Sequence, residues 1–325
     1  MKFLITGITG FAGPHLANLL HAQGHEIYGL IRHSNGREND IRDIIVDDVY
    51  NDITFINSDL VNYRVLQNVF KDNHFDGVFH LAAQSHPPTS FIDPIGTWDS
   101  NVTGSVNLIQ AIIDHQPDCK LMFCSTSEVY GNLGKDGKKI HWESKLFPAN
   151  PYGASKAAID MYLQERMESG AITGFITRAF SHTGTRRGKN FSISSDAYQI
   201  ARMMLQKQDS KLLVGNLDSV RVVIDVRDAV KAYYMLMMDE NSNKGIYNVC
   251  GDTPHKMRHF TDKLVEHSGL DEVEYVVHEP FWRPIDIHYQ NGDTTNLREQ
   301  TGWSPDIDID ETLKGLLQYW VDKIG

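Results

Sequence analysis

Cysteine is scarce in this chain. Cys119, Cys124 and Cys250 are the only three in 325 residues. An odd number with no CxxC pair argues against a disulfide framework or a zinc site and points to a reducing compartment, the cytoplasm. Long apolar runs are missing as well: no stretch approaches the roughly 20 apolar residues needed to span a bilayer. The opening MKFLITGITGFAG lacks a basic flank and a small-residue cleavage site, so no signal peptide is expected. Basic charge is in deficit, with 31 Lys and Arg against 42 Asp and Glu, a net charge of -11. Such a chain is poorly suited to wrapping nucleic acid, although a few local arginines can still hold a phosphate. His255 and His259 are four apart on an expected helix but have no third ligand, so no metal site is expected. There is no internal repeat, low-complexity tract or long linker. With 41% hydrophobic and 22% charged residues, the composition is that of a globular protein with a sizeable core.

The first half alternates two periodicities. Short apolar runs at Lys2–Thr6, Glu26–Ile31, Ile53–Ile56, Gly77–Leu81, Lys120–Cys124 and Gly174–Arg178 read as buried strands. Between them, Ala12–Gln23, Val61–Phe70, Val102–Ile113 and Pro151–Gly170 carry apolar residues at helical spacing. This alternation predicts an α/β fold, a Rossmann-type doubly wound parallel sheet covered on both faces. Beyond about Phe180 short strands (Leu212–Val214, Ile246–Val249) mix with helices (Asp196–Gln206, Val226–Met238, Met257–His267, Ile309–Lys323). The expectation is a dinucleotide-binding domain over 1–180 that carries the chemistry, and a smaller α/β domain over 181–325, mainly for substrate, with the ligand between them.

Gly7, Gly10 and Gly13 are spaced by three between the first strand and the first helix. Gly7 permits a sharp turn, Gly10 permits backbone to approach a pyrophosphate, and Gly13 permits close packing. The helix start then offers N–H groups and dipole to phosphate. A plain glycine-rich turn is the bland alternative, and the strand–turn–helix context argues against it. The second strand ends Leu30-Ile31-Arg32-His33-Ser34 with no acid to bind a ribose 2′-hydroxyl. Arg32 and Ser34 suit a 2′-phosphate instead, which favours NADP(H) over NAD. Asp59, after the third strand, is placed to accept from adenine. His80 reads as a satisfied core histidine.

Tyr152 and Lys156 share one face at the start of a helix. A neighbouring ammonium and a cationic nicotinamide both favour phenolate, so a Tyr152 tuned by the two is expected to have a lowered pKa and to exchange a proton with a carbinol. Cys124-Ser125-Thr126-Ser127-Glu128 follows the fifth strand, at the sheet end where ligands bind. Thr126 offers a hydroxyl to a substrate oxygen, and Glu128 offers a base for a carbon-bound proton. Capping or turn chemistry is the bland reading of the serines and threonine.

At TGITGFAG (6–13), STSEVYG (125–131) and YGASK (152–156) the chain resembles the extended short-chain dehydrogenase/reductase superfamily along nearly its whole length. With LIRHS (30–34), LAAQSH (81–86), RRGKNF (186–191) and VGNLDSVR (214–221) it is most similar to the group of GDP-mannose 4,6-dehydratases and GDP-4-keto-6-deoxymannose reductases. The resemblance implies an NADP-dependent enzyme acting on a nucleotide sugar, a homodimer or homotetramer built through helices of the first domain, and no membrane or nucleic-acid partner. It implies cofactor contacts from Gly7, Thr9, Gly10, Phe11, Gly13, Arg32, Ser34, Asp59, Leu60, Leu81, Ala82, Ala83, Tyr152, Lys156 and His182. Substrate contacts fall to Ser85, Ser127, Ser181, Arg187, Asn190, Arg221 and Arg283, and Arg186 is a further phosphate candidate.

In the dehydratase cycle that the resemblance implies, Tyr152 takes the O4 proton as hydride leaves C4. Glu128 then removes the C5 proton, water leaves C6, and hydride returns there. Thr126 holds O4, and Lys156 tunes Tyr152 and holds the nicotinamide ribose. The chain departs from the group's pattern at Ser181-His182, at Val222-Val223 after Arg221, at Phe11-Ala12 and at Ser192-Ile193-Ser194-Ser195. These departures lie around sugar and diphosphate, not along the hydride path. The leading expectation is a GDP-mannose 4,6-dehydratase. The alternatives are a GDP-4-keto-6-deoxy-sugar reductase or a C4 epimerase on the same scaffold, and, more remotely, a non-catalytic NADP sensor. Glu128 does not separate the first two.

Overall fold

This computed structural model describes residues 1–32, 37–281 and 285–325. His33, Ser34 and Arg283, named above, lie outside the described residues.

The strands are β1 (Lys2–Thr6), β2 (Glu26–Ile31), β3 (Ile53–Asn57), β4 (Gly77–His80), β5 (Lys120–Thr126) and β6 (Gly174–Ala179). With Ile246–Val249 they form one seven-stranded sheet in the order Ile246–Val249, β6, β5, β4, β1, β2, β3. Every pairing in it is parallel. The order reverses between β1 and β4, so the loops after those two strands diverge and leave a crevice at their C-terminal ends.

The two-residue period of a strand decides which face each side chain covers. Phe3 and Ile5 point into a core with Leu16, Leu20 and Phe79. Leu4, between them, points into the opposite core with Leu66, Leu108 and Leu163. All are fully buried. A strand covered on both faces has no polar side to show, hence the near-continuous apolar runs in the sequence.

The smaller body is built from the helices Ser192–Met204, Met257–Ser268 and Ile309–Ile324 with the parallel pair Lys211–Val214 and Glu274–Val277. It has its own core of Ile200, Leu212, Phe260 and Leu316. One placement corrects the sequence reading. Ile246–Val249 and the helix Val226–Met238 do not join this body. The strand pairs with β6, and Tyr233, Leu236 and Met237 of the helix belong to the same core as Phe3 and Leu16. The chain therefore returns to the main sheet well after residue 180. Parallel pairing is non-local, so a short apolar run carries no information about which sheet edge it will meet.

Candidate active site

Beyond the C-terminal ends of β1, β4 and β5 lies one connected cleft of about 1360 Å³. Pockets for a single drug-sized ligand run to roughly 300–1,000 Å³, and this cleft exceeds that range. It runs from the glycine turn, across the ends of β4 and β5, to the helix Ser192–Met204 and the strand Lys211–Val214.

The glycine turn is built for close approach. Gly7 has φ of +75°, and a Cβ there would meet the Ala82 backbone nitrogen at 2.8 Å. A Cβ on Gly13 would meet the carbonyl oxygens of Ile8 at 2.5 Å and Gly7 at 2.6 Å. The helix Ala12–Ala22 begins here with no acidic residue in its first turn, and Phe11 at its N-cap makes no side-chain cap. Its leading N–H groups are therefore open to an anion. Arg32 follows β2 and lines the same end with Asp59 and Leu60. The sequence directly after β2, residues 32–36, contains no acid to repel a 2′-phosphate. These residues fit a phosphorylated dinucleotide.

The floor is a buried polar chain. His80 Nδ1 lies 2.7 Å from Thr6 Oγ1 and its Nε2 2.8 Å from Ser105 Oγ. Burial holds His80 down to about 3, so it is a neutral core residue with both nitrogens satisfied. Ser105 donates to the Asn101 carbonyl, Asn101 Nδ2 donates to Ser155 Oγ at 2.9 Å, and Ser155 donates to the Tyr152 carbonyl at 2.7 Å. The glycine turn and the helix Pro151–Glu168 are thereby tied into one frame.

That helix starts with Asn150 as N-cap and Pro151 at its first position, a pairing that favours helix initiation. Asn150 Oδ1 accepts from Gly153 N at 2.7 Å, and Nδ2 donates to Glu128 Oε2 at 2.6 Å. The cap thus also orients Glu128. Thr126 Oγ1 accepts from Glu128 N at 3.2 Å, and its hydroxyl is also hydrogen-bonded with Tyr152.

Tyr152 and Lys156 are both buried, and both line the cleft with Thr126, Ser127 and Glu128. Burial raises Tyr152, nearby Cys124 and Glu128 add to the rise, and the Thr126 hydrogen bond and Arg187 oppose it. Lys156 lies one turn further along the same helix. Its ammonium sits 4.1 Å over the Phe123 ring, and burial lowers it to about 8.

The arginines divide. Arg187 lines the cleft, its guanidinium carbon 3.5 Å from the Phe191 ring centre and 4.7 Å from that of Phe11. Burial lowers it to about 10, so it remains a cation at neutral pH. No ion pair of Arg187 occurs among the described residues, which makes it the natural holder of an anion. Arg186, by contrast, is committed elsewhere. Its φ of 71° turns it to the carbonyls of Thr9 and Gly10 and to Asp43, at 3.0, 3.2 and 2.6 Å. It braces the glycine turn instead of facing substrate. Arg221 is buried at the cleft and donates to the Val220 and Ile287 carbonyls.

Ser85, Ser181, Asn190, Thr9, Leu81, Ala82, Ala83 and His182 all reach the cleft. His182 stacks on Phe11 at 5.8 Å, and burial lowers it to about 4. His255 and His259 stack on each other at 4.1 Å away from the cleft, and no group of three metal-ligating side chains occurs among the described residues. Three residues around the site escaped the sequence reading. Asn150 had a legible signal, an Asn–Pro pair ahead of a helix. Gln290, whose buried Nε2 has no partner among the described residues, and Asp196 had none, because only the fold brings them to the cleft wall.

A family model described as GDP-mannose 4,6 dehydratase matches residues 4–316. The GDP-6-deoxy-D-mannose reductase of Pseudomonas aeruginosa is 30% identical over 324 residues, 99% of this chain and 98% of that one. GDP-mannose 4,6 dehydratase 2 of Arabidopsis thaliana is 30% identical over 327 residues, 96% of this chain and 84% of that one. Among solved structures, that of RMD from Pseudomonas aeruginosa complexed with NADPH superimposes with a TM-score of 0.83 at 28% identity, covering 99% of both chains. The chain belongs to the GDP-mannose 4,6-dehydratase family, within the extended short-chain dehydrogenase/reductase superfamily.

Proposed function

We propose that this chain is an NADP(H)-dependent enzyme acting at C4 of a GDP-linked hexose, and that it works as a GDP-mannose 4,6-dehydratase. The observation that carries the reading is the meeting of Tyr152, Thr126, Lys156 and Glu128 on one wall of a cleft whose other end is the glycine turn. Support for the cofactor comes from the absence of an acid after β2, from Arg32 in its place, and from the relative solved with NADPH. Bound NADP(H) would supply hydride exchange with the sugar carbons.

The chain's residues do the rest. Tyr152 carries the proton to and from the sugar O4, and the Thr126 hydroxyl holds that oxygen in place. Lys156, one helical turn on from Tyr152, supplies positive charge against the burial that opposes the phenol's ionisation. Glu128, oriented by Asn150, takes the C5 proton, and with Ser127 as its neighbour it also returns a proton to the departing hydroxyl. Arg187 holds the diphosphate. The subunit assembles as a homodimer or homotetramer; Ile92, Ile95, Trp98 and Met161, all exposed on helices beside the sheet, give the apolar surface for it.

A second reading has a specific observation in its favour. This chain covers 98% of the Pseudomonas reductase but 84% of the Arabidopsis dehydratase. In that reading the same Tyr152 protonates O4 as a 4-ketone is reduced, and Glu128 is not needed as a base. The test is incubation with GDP-mannose and catalytic NADP+ in deuterated water. A dehydratase yields a product lighter by one water, with deuterium at C5 and no net NADPH. A reductase leaves GDP-mannose untouched and consumes one NADPH per GDP-4-keto-6-deoxymannose. Inactivity on both substrates would end the proposal.

A further inference from the structure

The helix Ser192–Met204 carries a carboxylate that the C4 chemistry does not use. Asp196 is one turn into this helix, 5% exposed, and on the cleft wall. Asp196 meets Thr261 of the helix Met257–Ser268, and its neighbours Ile193 and Ala197 pack in the smaller body's core, so it belongs to that body's side of the cleft. Its Oδ2 accepts the Thr261 hydroxyl at 2.8 Å. Its Oδ1 takes no hydrogen bond among the described residues, and no Lys or Arg there pairs with it. Lys211, which also lines this end, pairs with Glu274 at 3.6 Å.

Gln199, one turn further on, is unavailable. Its Nε2 donates to the Leu213 carbonyl and its Oε1 accepts from Leu213 N, both at 3.0 Å. A carboxylate taken out of water with one neutral donor is left under-satisfied, at a cost of several kcal/mol unless further donors reach it. Burial accordingly raises Asp196 to about 7.

We infer that Asp196 reads the base of the sugar nucleotide, and that the base it selects presents two adjacent N–H donors on one edge, as guanine does. Guanine offers its ring N1–H beside its exocyclic amine, a parallel pair that matches a carboxylate as a guanidinium does. Uracil presents a single ring N–H between two carbonyl oxygens, which a carboxylate repels. Adenine presents a donor beside an acceptor. Met257 lies one turn before Thr261, and Leu217 follows the strand Lys211–Val214; both line the cleft and add apolar surface for a planar ring. The inference rests on the nucleotide-sugar reading and deepens it by assigning the base specificity to one side chain.

The test is calorimetric binding of GDP, IDP and UDP to the whole protein, with NADPH binding as control. IDP is GDP without the exocyclic amine. The wild type is expected to bind GDP about tenfold or more tighter than IDP, and UDP more weakly still. Asp196→Asn keeps size and the bond to Thr261. It is expected to weaken GDP about 10- to 100-fold, to abolish the gap between GDP and IDP, and to leave NADPH binding unchanged. A wild type that does not distinguish GDP from IDP overturns the assignment without any variant. So does an Asp196→Asn protein that keeps the gap, or one in which GDP and IDP weaken equally, as a contact to ribose would give. Normal NADPH binding with no affinity for any nucleoside diphosphate would instead sink the nucleotide-sugar reading itself.

Discussion

Replacing Tyr152 by Phe isolates one proton. The ring stays in its buried place between β5 and the helix Pro151–Glu168, because only the hydroxyl is lost. That hydroxyl engages Thr126. Removing one neutral hydrogen bond changes stability by about 0.5–1.5 kcal/mol at most, and the relief of burying a hydroxyl works the other way. The denaturation midpoint should therefore barely move. The glycine turn is untouched, so NADPH should bind as before. Turnover should fall about 10²- to 10⁴-fold, the share a positioned acid–base group supplies, or roughly 2.7–5.5 kcal/mol of barrier. Sugar-nucleotide mass spectrometry measures turnover, nicotinamide fluorescence measures cofactor affinity, and a urea melt checks the fold. Turnover within tenfold of wild type, in a protein that still folds and binds NADPH, would refute the role given to the phenol.

Other consequences are as direct. In the dehydratase reading, Glu128→Gln keeps an acceptor for Asn150 Nδ2 but loses the base. Loss of water should stop while transient NADPH at 340 nm persists, and normal elimination would remove Glu128 from the mechanism. Gly13→Ala places a Cβ 2.5 Å from the Ile8 carbonyl oxygen, so the turn must deform. A loss of about 1–3 kcal/mol in a urea melt and weakened NADPH binding are expected. Arg178→Met strands the fully buried Asp160, which Arg178 holds at 2.7 and 2.9 Å. Stability should drop by about 3–5 kcal/mol, and adding Asp160→Leu should recover much of it.

The pH dependence follows from Lys156. Burial lowers it to about 8, below an ordinary lysine near 10.4. Its ammonium is present below that value and lost as pH rises through it, so kcat/KM should fall above about pH 8. Between about pH 8 and 10.4 the unfolded chain holds a proton that the folded chain has released, so this group's contribution to stability rises with pH across that window. A kcat/KM profile flat to pH 9.5 would show that the ammonium is not required.

How much could be read in advance depends on how local each signal is. The six strands from Lys2 to Ala179 and the four longer helices between them were legible from apolar period, because a parallel sheet buried on both faces imposes continuous apolar runs, whereas the short helices Asp47–Asn51, Pro87–Ile92 and Pro94–Trp98 were not. The glycine turn was legible because positive φ and missing Cβ atoms are properties of glycine itself. The capping of Pro151–Glu168 by Asn150 had its signature too, but nothing local announced that the same amide would hold Glu128.

The rest needed three dimensions. Arg186 and Arg187 are adjacent and chemically identical, yet a left-handed φ sends the first to the glycine turn and leaves the second in the cleft. The Tyr152–Lys156 spacing put both groups on one helix face, but it is burial, a property of the whole fold, that raises the phenol and lowers the ammonium. Ile246–Val249 closes the sheet edge from seventy residues beyond β6, and Asp196 meets Thr261 across sixty-five. Sequence by itself determined the local grammar of strands, turns and motifs, since those follow from nearest neighbours. Tertiary structure alone decided which charges are buried, which are paired and which face the ligand, since desolvation and long-range contact exist only once the chain has closed on itself.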